Sequence, residues 1–314
     1  MSQSPLGPGK IVVLTLSVLV LAIPAVFPQT STTPTTSNPQ AVTLAAQALA
    51  ALVFCSSGQR RPATEQSSTV SFYAVSDLTK PKGAQVTLRG ARLADPKDWP
   101  ASFYSIHPGG PCTSTLVGPR ALITAAHCAP NRAPVAIKLG DSVYRGTCVQ
   151  SDAYLSGGDE SADWAMCLMS TDVPETLYET INTDAARLRV GTQILLTGFG
   201  CTQSSGTPSD RNYRIGEANI DSLPTRASNY LTTTGRVALC FGDSGGPAFL
   251  ILDSTKRVQV SVNSEAQILP DGSLGQTSSL SSLSTDEAVA FAKGWSSANH
   301  ANVCGITPNM SNCR

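Results

Sequence analysis

Short apolar runs, separated by turns rich in glycine and proline, characterise the chain from about residue 88 onward. Runs of this length that are enriched in β-branched residues predict strands. Their regular spacing, without long helical periods between them, predicts an all-β barrel or sandwich. The predicted strands cover residues 103–106, 114–117, 121–124, 135–139, 164–169, 193–197, 213–220, 248–252 and 257–262.

One late segment follows the helical period instead. In residues 286–297, apolar side chains recur at a spacing that places them on one face of a helix. These side chains are Ala288, Phe291, Ala292 and Trp295. Thr285 precedes the segment as a candidate N-cap, and Ser284 would serve equally. We therefore expect a helix after the strands.

The first 87 residues have a different composition. Residues 11–27 form an apolar run behind Lys10, which is typical of a signal peptide. The run is short for a membrane span, and Pro24 disfavours a stable anchor. Residues 28–40 are rich in Thr, Ser and Pro, as in a linker that has little to bury. We predict a signal peptide over 1–27, a linker and propeptide over 28–87, a folded domain over 88–305 and a tail over 306–314.

Charge and cysteine content narrow the class of protein. The chain has 22 Lys plus Arg and 22 Asp plus Glu, and no basic stripe is visible, which argues against nucleic acid as a partner. The nine cysteines include no Cys-x-x-Cys pair and no His/Cys cluster typical of zinc. We therefore expect no metal and no cofactor. Eight cysteines in the last two-thirds of the chain are more consistent with four disulfides, which form in an oxidising compartment.

The segment from Cys240 to Pro247, with the sequence CFGDSGGP, carries a candidate nucleophile. Ser244 has a hydroxyl that becomes reactive when a base takes its proton. The glycines around it let a substrate approach the backbone, and consecutive N–H groups there can hold a developing oxyanion. Asp243 adds a charge that needs a partner in such a tight turn.

A base is sought among three histidines, His107, His127 and His300. His107 lies in a turn, and His300 follows the predicted helix. His127 comes after a predicted strand and two alanines, immediately before Cys128. The small residues leave room for the imidazole to turn toward a neighbour, and a disulfide at Cys128 would fix the backbone beside it. We therefore favour His127 over a solvated surface histidine.

The third member of such a set is a carboxylate that orients the histidine. Asp163 opens the apolar strand 164–169, where an unpaired charge is costly. A strand-edge Asp that forms a turn is the alternative interpretation. Asp159 and Glu160 lie just upstream in a glycine-rich loop, where we expect them to be solvated.

With His127, Asp163 and Ser244 in this order, the chain resembles the trypsin/chymotrypsin-like serine proteases. The matching segments are 124–128 (TAAHC), 163–168 (DWAMCL), 196–200 (LTGFG) and 242–247 (GDSGGP), with 99–103 (WPASF) similar to the first barrel strand of the family. The resemblance covers about residues 88–305. It implies two six-stranded antiparallel β-barrels packed around a cleft, with a C-terminal helix.

The resemblance also implies roles. Ser244 would attack the scissile carbonyl, His127 would transfer the proton, and Asp163 would fix the imidazole. The N–H groups of Gly242 and Ser244 would form the oxyanion hole. We expect a monomeric serine endopeptidase, extracellular or periplasmic, that acts on proteins or peptides. Membrane contact would occur only through an uncleaved N-terminal segment.

Two other interpretations were weighed. An α/β-hydrolase would use Ser244 first, then Asp271 or Asp286, and His300 last. Its nucleophile turn must open a helix, which Gly245-Gly246-Pro247 disfavours. A binding or adhesion module without turnover is the remaining alternative, supported by the unusual activation segment described below.

The specificity pocket departs from the Arg/Lys-cleaving members of the family. Ala238 stands six residues before the nucleophile, where those members have an aspartate. A small or apolar substrate side chain is therefore favoured. The opposite wall is expected from Asn263 and Ser264, although Glu265 could reach the pocket and reverse this preference.

The disulfides depart too. Cys240 lacks its usual downstream partner, and Cys201 is the best remaining one because the family places that loop beside the oxyanion turn. The resemblance further implies Cys112–Cys128 behind the histidine, Cys148–Cys167 between neighbouring strands and Cys304–Cys313 in the tail. Spacing alone leaves these connectivities open.

The activation segment is the last departure. The family frees an apolar N-terminus that pairs with the acid before the nucleophile, here Asp243. The aligned segment begins at Leu88, and Thr87 before it is not a tryptic site. We expect cleavage between these two residues in a zymogen. An internal cation that pairs with Asp243 without cleavage is the alternative.

Overall fold

The computed structural model describes residues 70–74, 88–107, 110–174, 177–206 and 210–314. All of them belong to one compact unit that begins at Thr64. The predicted signal peptide and most of the predicted linker and propeptide lie outside the described residues.

The described residues form fourteen strands and two α-helices. The strands are β1 (Val70–Ala74), β2 (Arg92–Leu93), β3 (Ser102–His107), β4 (Gly110–Gly118), β5 (Ala121–Thr124), β6 (Pro134–Leu139), β7 (Ser142–Gln150), β8 (Ala165–Met169), β9 (Gln193–Gly198), β10 (Arg214–Ser222), β11 (Tyr230–Thr234), β12 (Pro247–Ile251), β13 (Arg257–Ile268) and β14 (Leu274–Ser282). The helices are α1 (Asp152–Leu155) and α2 (Asp286–Asn299). The all-β prediction is therefore confirmed.

The first barrel is closed by seven strands in the order β1-β3-β4-β5-β8-β7-β6. Its neighbouring strands are antiparallel, except that β1 runs parallel to β6. Fully buried apolar side chains fill its interior, among them Phe72, Phe103, Leu116, Leu122 and Ile137. Burial of these side chains supplies most of the driving force for closing the ring.

Strand β1 lies inside the segment expected to be linker and propeptide. It pairs with β3 from Ser71 to Ala74 and with β6 from Val70 to Tyr73. The expected boundary at residue 88 therefore does not coincide with the start of the barrel. The alternating burial of VSFYA is a strand signal, but it is short and isolated within polar sequence.

The second barrel contains β11, β14, β13, β12, β9 and β10 in that order, and pairing between β10 and β11 closes the ring. β2 adds to the other edge of β10. The interior is again aliphatic, with Leu196, Ile220, Leu231, Val260 and Leu280 among the buried side chains. Two packed barrels with a late helix are the architecture expected above.

Helix α2 begins after Thr285, whose side chain accepts a hydrogen bond from the N–H of Ala288. It ends at His300, which adopts a left-handed conformation with φ of 48°. Trp295 and two alanines of its buried face belong to the same cluster as Trp164 and Met166 of the first barrel. The helix therefore packs on the barrel that lies farther from it in sequence.

A membrane-crossing helix was also sought. Among the described residues, none of the helices has both the length and the apolar character needed to cross a bilayer.

Four disulfides join the same cysteine pairs that the resemblance implies. They are Cys112–Cys128, Cys148–Cys167, Cys201–Cys240 and Cys304–Cys313. The last one closes the tail, where Arg314 N–H donates to the carbonyl of Tyr178 at 2.8 Å. The tail beyond residue 305 is thus bonded to the body of the unit.

Candidate active site

Ser244 lies in the turn that leads into β12, where two glycines permit an unusual backbone. Gly242 has a φ of 105° and Gly245 a φ of 80°, values that favour glycine. A Cβ on Gly245 would also collide with the side chain of Thr124 and the carbonyl of Thr113. The turn therefore depends on glycine for both its shape and its close approach to the first barrel.

The N–H groups of this turn divide into two sets. Those of Asp243, Gly245 and Gly246 donate to the carbonyls of Cys240, Asn263 and Asp243, respectively. The N–H groups of Gly242 and Ser244 have no acceptor within the part of the chain that the structure describes. These are the two residues predicted to form an oxyanion hole.

Thr113 of β4 holds the turn from the side of the first barrel. Its N–H donates to the carbonyl of Ser244 at 2.7 Å, and its hydroxyl donates to the carbonyl of Gly242 at 2.8 Å. The nucleophile turn thus belongs to the second barrel in sequence but is bonded directly to the first.

His127 lies in the short 3₁₀ turn Ala126–Cys128 that follows β5. The disulfide from Cys128 to Cys112 anchors one end of this turn to β4. Gln150 donates to the carbonyl of Ala126 at 2.5 Å and supports it from β7. The backbone of the histidine is therefore fixed, while its side chain remains 35% exposed at the surface of the cleft.

Asp163 orients His127 with both carboxylate oxygens. Oδ2 lies 2.7 Å from His127 Nδ1, and Oδ1 accepts the N–H of the same residue at 3.0 Å. Asp163 is only 1% exposed. Burial of the imidazole disfavours its charge, but the adjacent carboxylate outweighs burial and raises the pKa of His127. Burial likewise disfavours the Asp163 charge, yet His127 and Ser264 keep its pKa below the usual value.

Ser264 links the carboxylate to the nucleophile. Its hydroxyl donates to Asp163 Oδ2 at 2.7 Å, and its carbonyl accepts the Ser244 hydroxyl at a long 3.4 Å. The sequence pattern predicts Ser264 at the wall of a specificity pocket. The structure instead uses its buried side chain to hold Asp163, which gives this residue a positioning role.

The other two pocket candidates occupy different environments. Ala238 is buried and forms a bridge with Arg89 of the segment after Leu88. Asn263 is also buried, and its amide donates to the carbonyls of Thr197 at 2.8 Å and Asp243 at 3.1 Å. The expectation that the Asn263 amide forms a pocket wall is corrected by these bonds, because the amide supports the nucleophile turn.

Asp243 is fully buried against the glycines of the β9 turn. Its carboxylate accepts the N–H groups of Gly200 at 2.7 Å and Cys240 at 2.9 Å. Burial raises the pKa of Asp243 to about 7, although these donors and the nearby guanidinium groups of Arg214 and Arg89 oppose the shift. A Cβ on Gly200 would overlap the carboxyl group, so glycine is required there.

The predicted activation segment is already packed into the second barrel. Leu88 is fully buried in the aliphatic core of that barrel, with a φ of 46° that is unusual for leucine. Arg89 donates to the carbonyls of Leu274 and Gly275. Thr87 lies outside the described residues, so the bond at which cleavage is expected is not part of the description.

Cys201 and Cys240 bring the β9 turn and the nucleophile turn together. Besides the disulfide, Cys201 N–H donates to the carbonyl of Phe241 at 2.8 Å. One His/Cys group is compact enough for a metal ion, formed by Cys112, His127 and Cys128. Both of its sulfur atoms are in a disulfide and are therefore not thiolate ligands.

The remaining histidines lie elsewhere. His107 is in β3, and its side chain lies outside the described part of the chain; His300 caps α2. Thr113 and the Ser264 hydroxyl are contributions to the site that the sequence pattern misses. Thr113 follows a cysteine bonded to the neighbour of His127, which is a weak signal, and Ser264 depends on a register shift in β13 between Asn263 and Glu265.

Comparisons with known proteins agree with this geometry. The sequence model of the Trypsin family matches residues 89–266. No curated protein matches the sequence.

Two solved structures share the fold. One is a mutant of human heparin binding protein, with a TM-score of 0.51 and 16% identity over 67% of this chain and 96% of that chain. The other is an atomic-resolution structure of HBP, with a TM-score of 0.51 and 18% identity over 67% of this chain and 95% of that one.

Proposed function

The chain belongs to the trypsin family, and from this premise we propose that it is a secreted serine endopeptidase that works through an acyl-enzyme. The observation that carries the proposal is the bond between His127 Nδ1 and Asp163 Oδ2 at 2.7 Å, beside a serine in a glycine-shaped turn. A buried carboxylate that fixes one imidazole nitrogen leaves the other free to act as a base.

In the first half of the reaction, the Ser244 hydroxyl attacks the scissile carbonyl carbon and transfers its proton to His127 Nε2. The oxyanion of the tetrahedral intermediate receives hydrogen bonds from the N–H groups of Gly242 and Ser244. The carbon–nitrogen bond then breaks, and the imidazolium returns the proton to the leaving amine. A water molecule hydrolyses the resulting ester by the same route.

Before this reaction the serine hydroxyl must leave its contact with Ser264. That contact is 3.4 Å long and therefore weak. A rotation about the Cα–Cβ bond of Ser244 is sufficient to turn the hydroxyl, since Thr113 holds only backbone atoms of the turn.

We extend the proposal to the residue before the cut, which should be small or apolar. Ala238 brings no charge to the place where tryptic members carry an aspartate, so a buried Lys or Arg would remain unpaired. Profiling a peptide library with the protein should give little cleavage after Lys or Arg. Dominant cleavage after basic residues would contradict this preference.

The compartment follows from the disulfides. Four disulfides persist only where thiols are not kept reduced, which supports an extracellular or periplasmic site of action. The apolar run at 11–27 supports export by the same proposal.

The decisive experiment compares the wild-type chain with Ser244→Ala. The wild type should react with a fluorophosphonate probe and hydrolyse peptides, whereas Ser244→Ala should lose labelling and several orders of magnitude of turnover. Ser170→Ala is a matched control, because Ser170 is exposed at the end of β8. Equal labelling of the wild type and Ser244→Ala would contradict the proposal.

A second candidate is a binding module on a protease fold that lacks turnover. The contact between the Ser244 hydroxyl and Ser264 favours it, since that hydroxyl is not bonded to a base in this arrangement. The same probe separates the two functions: absence of labelling in folded wild type would favour the module.

A further inference from the structure

We propose, resting on the proposed endopeptidase function, that Glu160 and Glu265 form an acidic subsite that selects Lys or Arg within the few residues before the cut. The two glutamates lie on different barrels and face the same part of the cleft. The proposal therefore adds a charge preference upstream of the small or apolar residue at the cut.

A place for the substrate backbone is the first requirement, and β13 supplies it. β12 pairs with β13 only as far as Val262, whereas β13 continues to Ile268 with β14 on its other side. Among the described residues, no strand covers the edge of β13 from Ser264 onward. An extended peptide can add to such an edge, directly beside the Ser244 hydroxyl that contacts the Ser264 carbonyl.

Glu265 is the first residue of this edge beyond Ser264. Its side chain is exposed, so the carboxylate is accessible from the cleft. It is close enough to His127 to favour the imidazolium electrostatically, which places it on the catalytic side of the strand. A substrate residue that passes over β13 next to the nucleophile must therefore pass this carboxylate.

Glu160 reaches the same region from the first barrel. It lies in the 3₁₀ turn that ends at Asp163, and it is exposed. The Tyr230 hydroxyl donates to its carbonyl at 2.9 Å and contacts the Ser264 hydroxyl at 3.2 Å. The same tyrosine forms a side-chain hydrogen bond with Glu265. Tyr230 thus holds both glutamates around the approach to the catalytic groups.

The two carboxylates repel each other. Partial burial raises the pKa of Glu265, and the charge of Glu160 raises it further. None of the ion pairs among the described residues involves either glutamate. A substrate cation between them would relieve this repulsion, whereas an anion would increase it.

The groove that continues beyond Tyr230 has mixed charge. It has a volume of about 690 Å³ and is lined by Asp159, Asp286 and Glu287 but also by Arg226. Asn229 bonds to Asp159 at 2.9 Å and to Glu287 at 2.8 Å, so two of these acids are already partnered. The preference for a cation should therefore be confined to the positions near Glu160 and Glu265.

The test uses the full chain and peptides that share one apolar residue at the cut. Lys, norleucine or Glu is placed in turn at the second, third and fourth positions before it. At one of these positions, kcat/KM for Lys should exceed that for norleucine by about fivefold, with Glu lower than both. The preference should weaken as ionic strength rises.

The variants Glu265→Gln, Glu160→Gln and their combination should lose the Lys preference while cleaving the norleucine peptide at an unchanged rate. Glu217→Gln is the matched control, because its ion pair with Arg92 is exposed on the second barrel. Equal kcat/KM for Lys and norleucine at all three positions would overturn the subsite, although the endopeptidase function would stand.

A binding measurement separates this failure from failure of the proposed function. Ser244→Ala in the full chain binds the same peptides without cutting them, and fluorescence anisotropy gives their Kd. Tighter binding of the Lys peptide that is lost in Glu160→Gln/Glu265→Gln supports the subsite even if the wild type shows no turnover. Identical Kd values for the Lys and norleucine peptides would overturn it.

Discussion

At the scale of single residues, Asp243 combines a catalytic neighbourhood with an electrostatic conflict. Its carboxyl group is excluded from water and receives two backbone N–H groups, yet burial still raises its pKa to about 7. The guanidinium groups of Arg214 and Arg89 are the cations that act on it in this arrangement. They correspond to the internal cation considered as an alternative to a freed N-terminus.

The raised pKa of Asp243 predicts a pH-dependent stability. In the unfolded chain an Asp titrates near about 3.9. As pH rises from there through about 7, the unfolded carboxyl has released its proton while the folded one retains it. The stability that this group contributes at low pH is therefore lost with rising pH. Asp243→Asn should remove this loss.

Urea unfolding at pH 4, 6 and 8 measures the effect. The free energy of unfolding of Asp243→Asn relative to the wild type should increase from pH 4 to pH 8. Asp271→Asn is a useful control, because hydrogen bonds from Ser273 lower the pKa of Asp271 and its contribution has the opposite sign. A difference for Asp243→Asn that stays constant with pH would contradict the prediction.

Single residues also differ in how far the sequence predicts them. His127 and Asp163 stand out because each is a polar group beside an apolar strand, a local pattern that is costly without a partner. The hydroxyl of Ser264 gives no such signal. Its direction is set by the irregular register of β13, which arises only when that strand is packed between β12 and β14.

At the scale of elements, β1 extends the first barrel into a segment whose composition suggests a propeptide. Phe72 is fully buried, and both edges of the strand are paired. The sequence predicts the other strands of this barrel because each forms part of a regular series of short apolar runs. It does not predict β1, because the pairing with β3 and β6 involves residues more than thirty positions away.

This pairing predicts that cleavage between Thr87 and Leu88 would not release the preceding fragment. The four disulfides all join residues after this bond, so the strand pairing and the buried Phe72 must hold the fragment. The active form should elute as one species in native size-exclusion chromatography. Denaturing mass spectrometry should then give two chains, the larger one starting at Leu88.

Two variants calibrate this experiment. Phe72→Ala should weaken the attachment, since a fully buried aromatic side chain contributes several kcal/mol, about 3–5 by analogy with other cores. Ser71→Ala, on the opposite face of β1, should leave it intact. A folded, active form that lacks residues 70–74 would show that β1 is dispensable, and an active form still continuous through residue 88 would exclude cleavage at this bond.

At the scale of the whole molecule, the site exists only where the two barrels meet. His127 and Asp163 come from the first barrel, while Ser244 and Ser264 come from the second. Thr113 bonds the two across the cleft. The sequence predicts this arrangement chiefly through the resemblance, because several motifs occur in one order. The acidic edge formed by Glu160 and Glu265 escapes such a prediction, since glutamates in a loop and on a strand carry no signal of a common neighbourhood.

The packing of α2 also bears on when activity can arise during biosynthesis. Trp295 shares a buried cluster with Ala125, Cys128, Trp164 and Val262, which lie within two residues of His127, Asp163 or Ser264. Residues 286–299 leave the ribosome after both barrels, so a nascent chain lacks the support beneath its catalytic groups until translation of this helix is complete. Incomplete chains would therefore be poor proteases, which would limit damage to the cell that makes them.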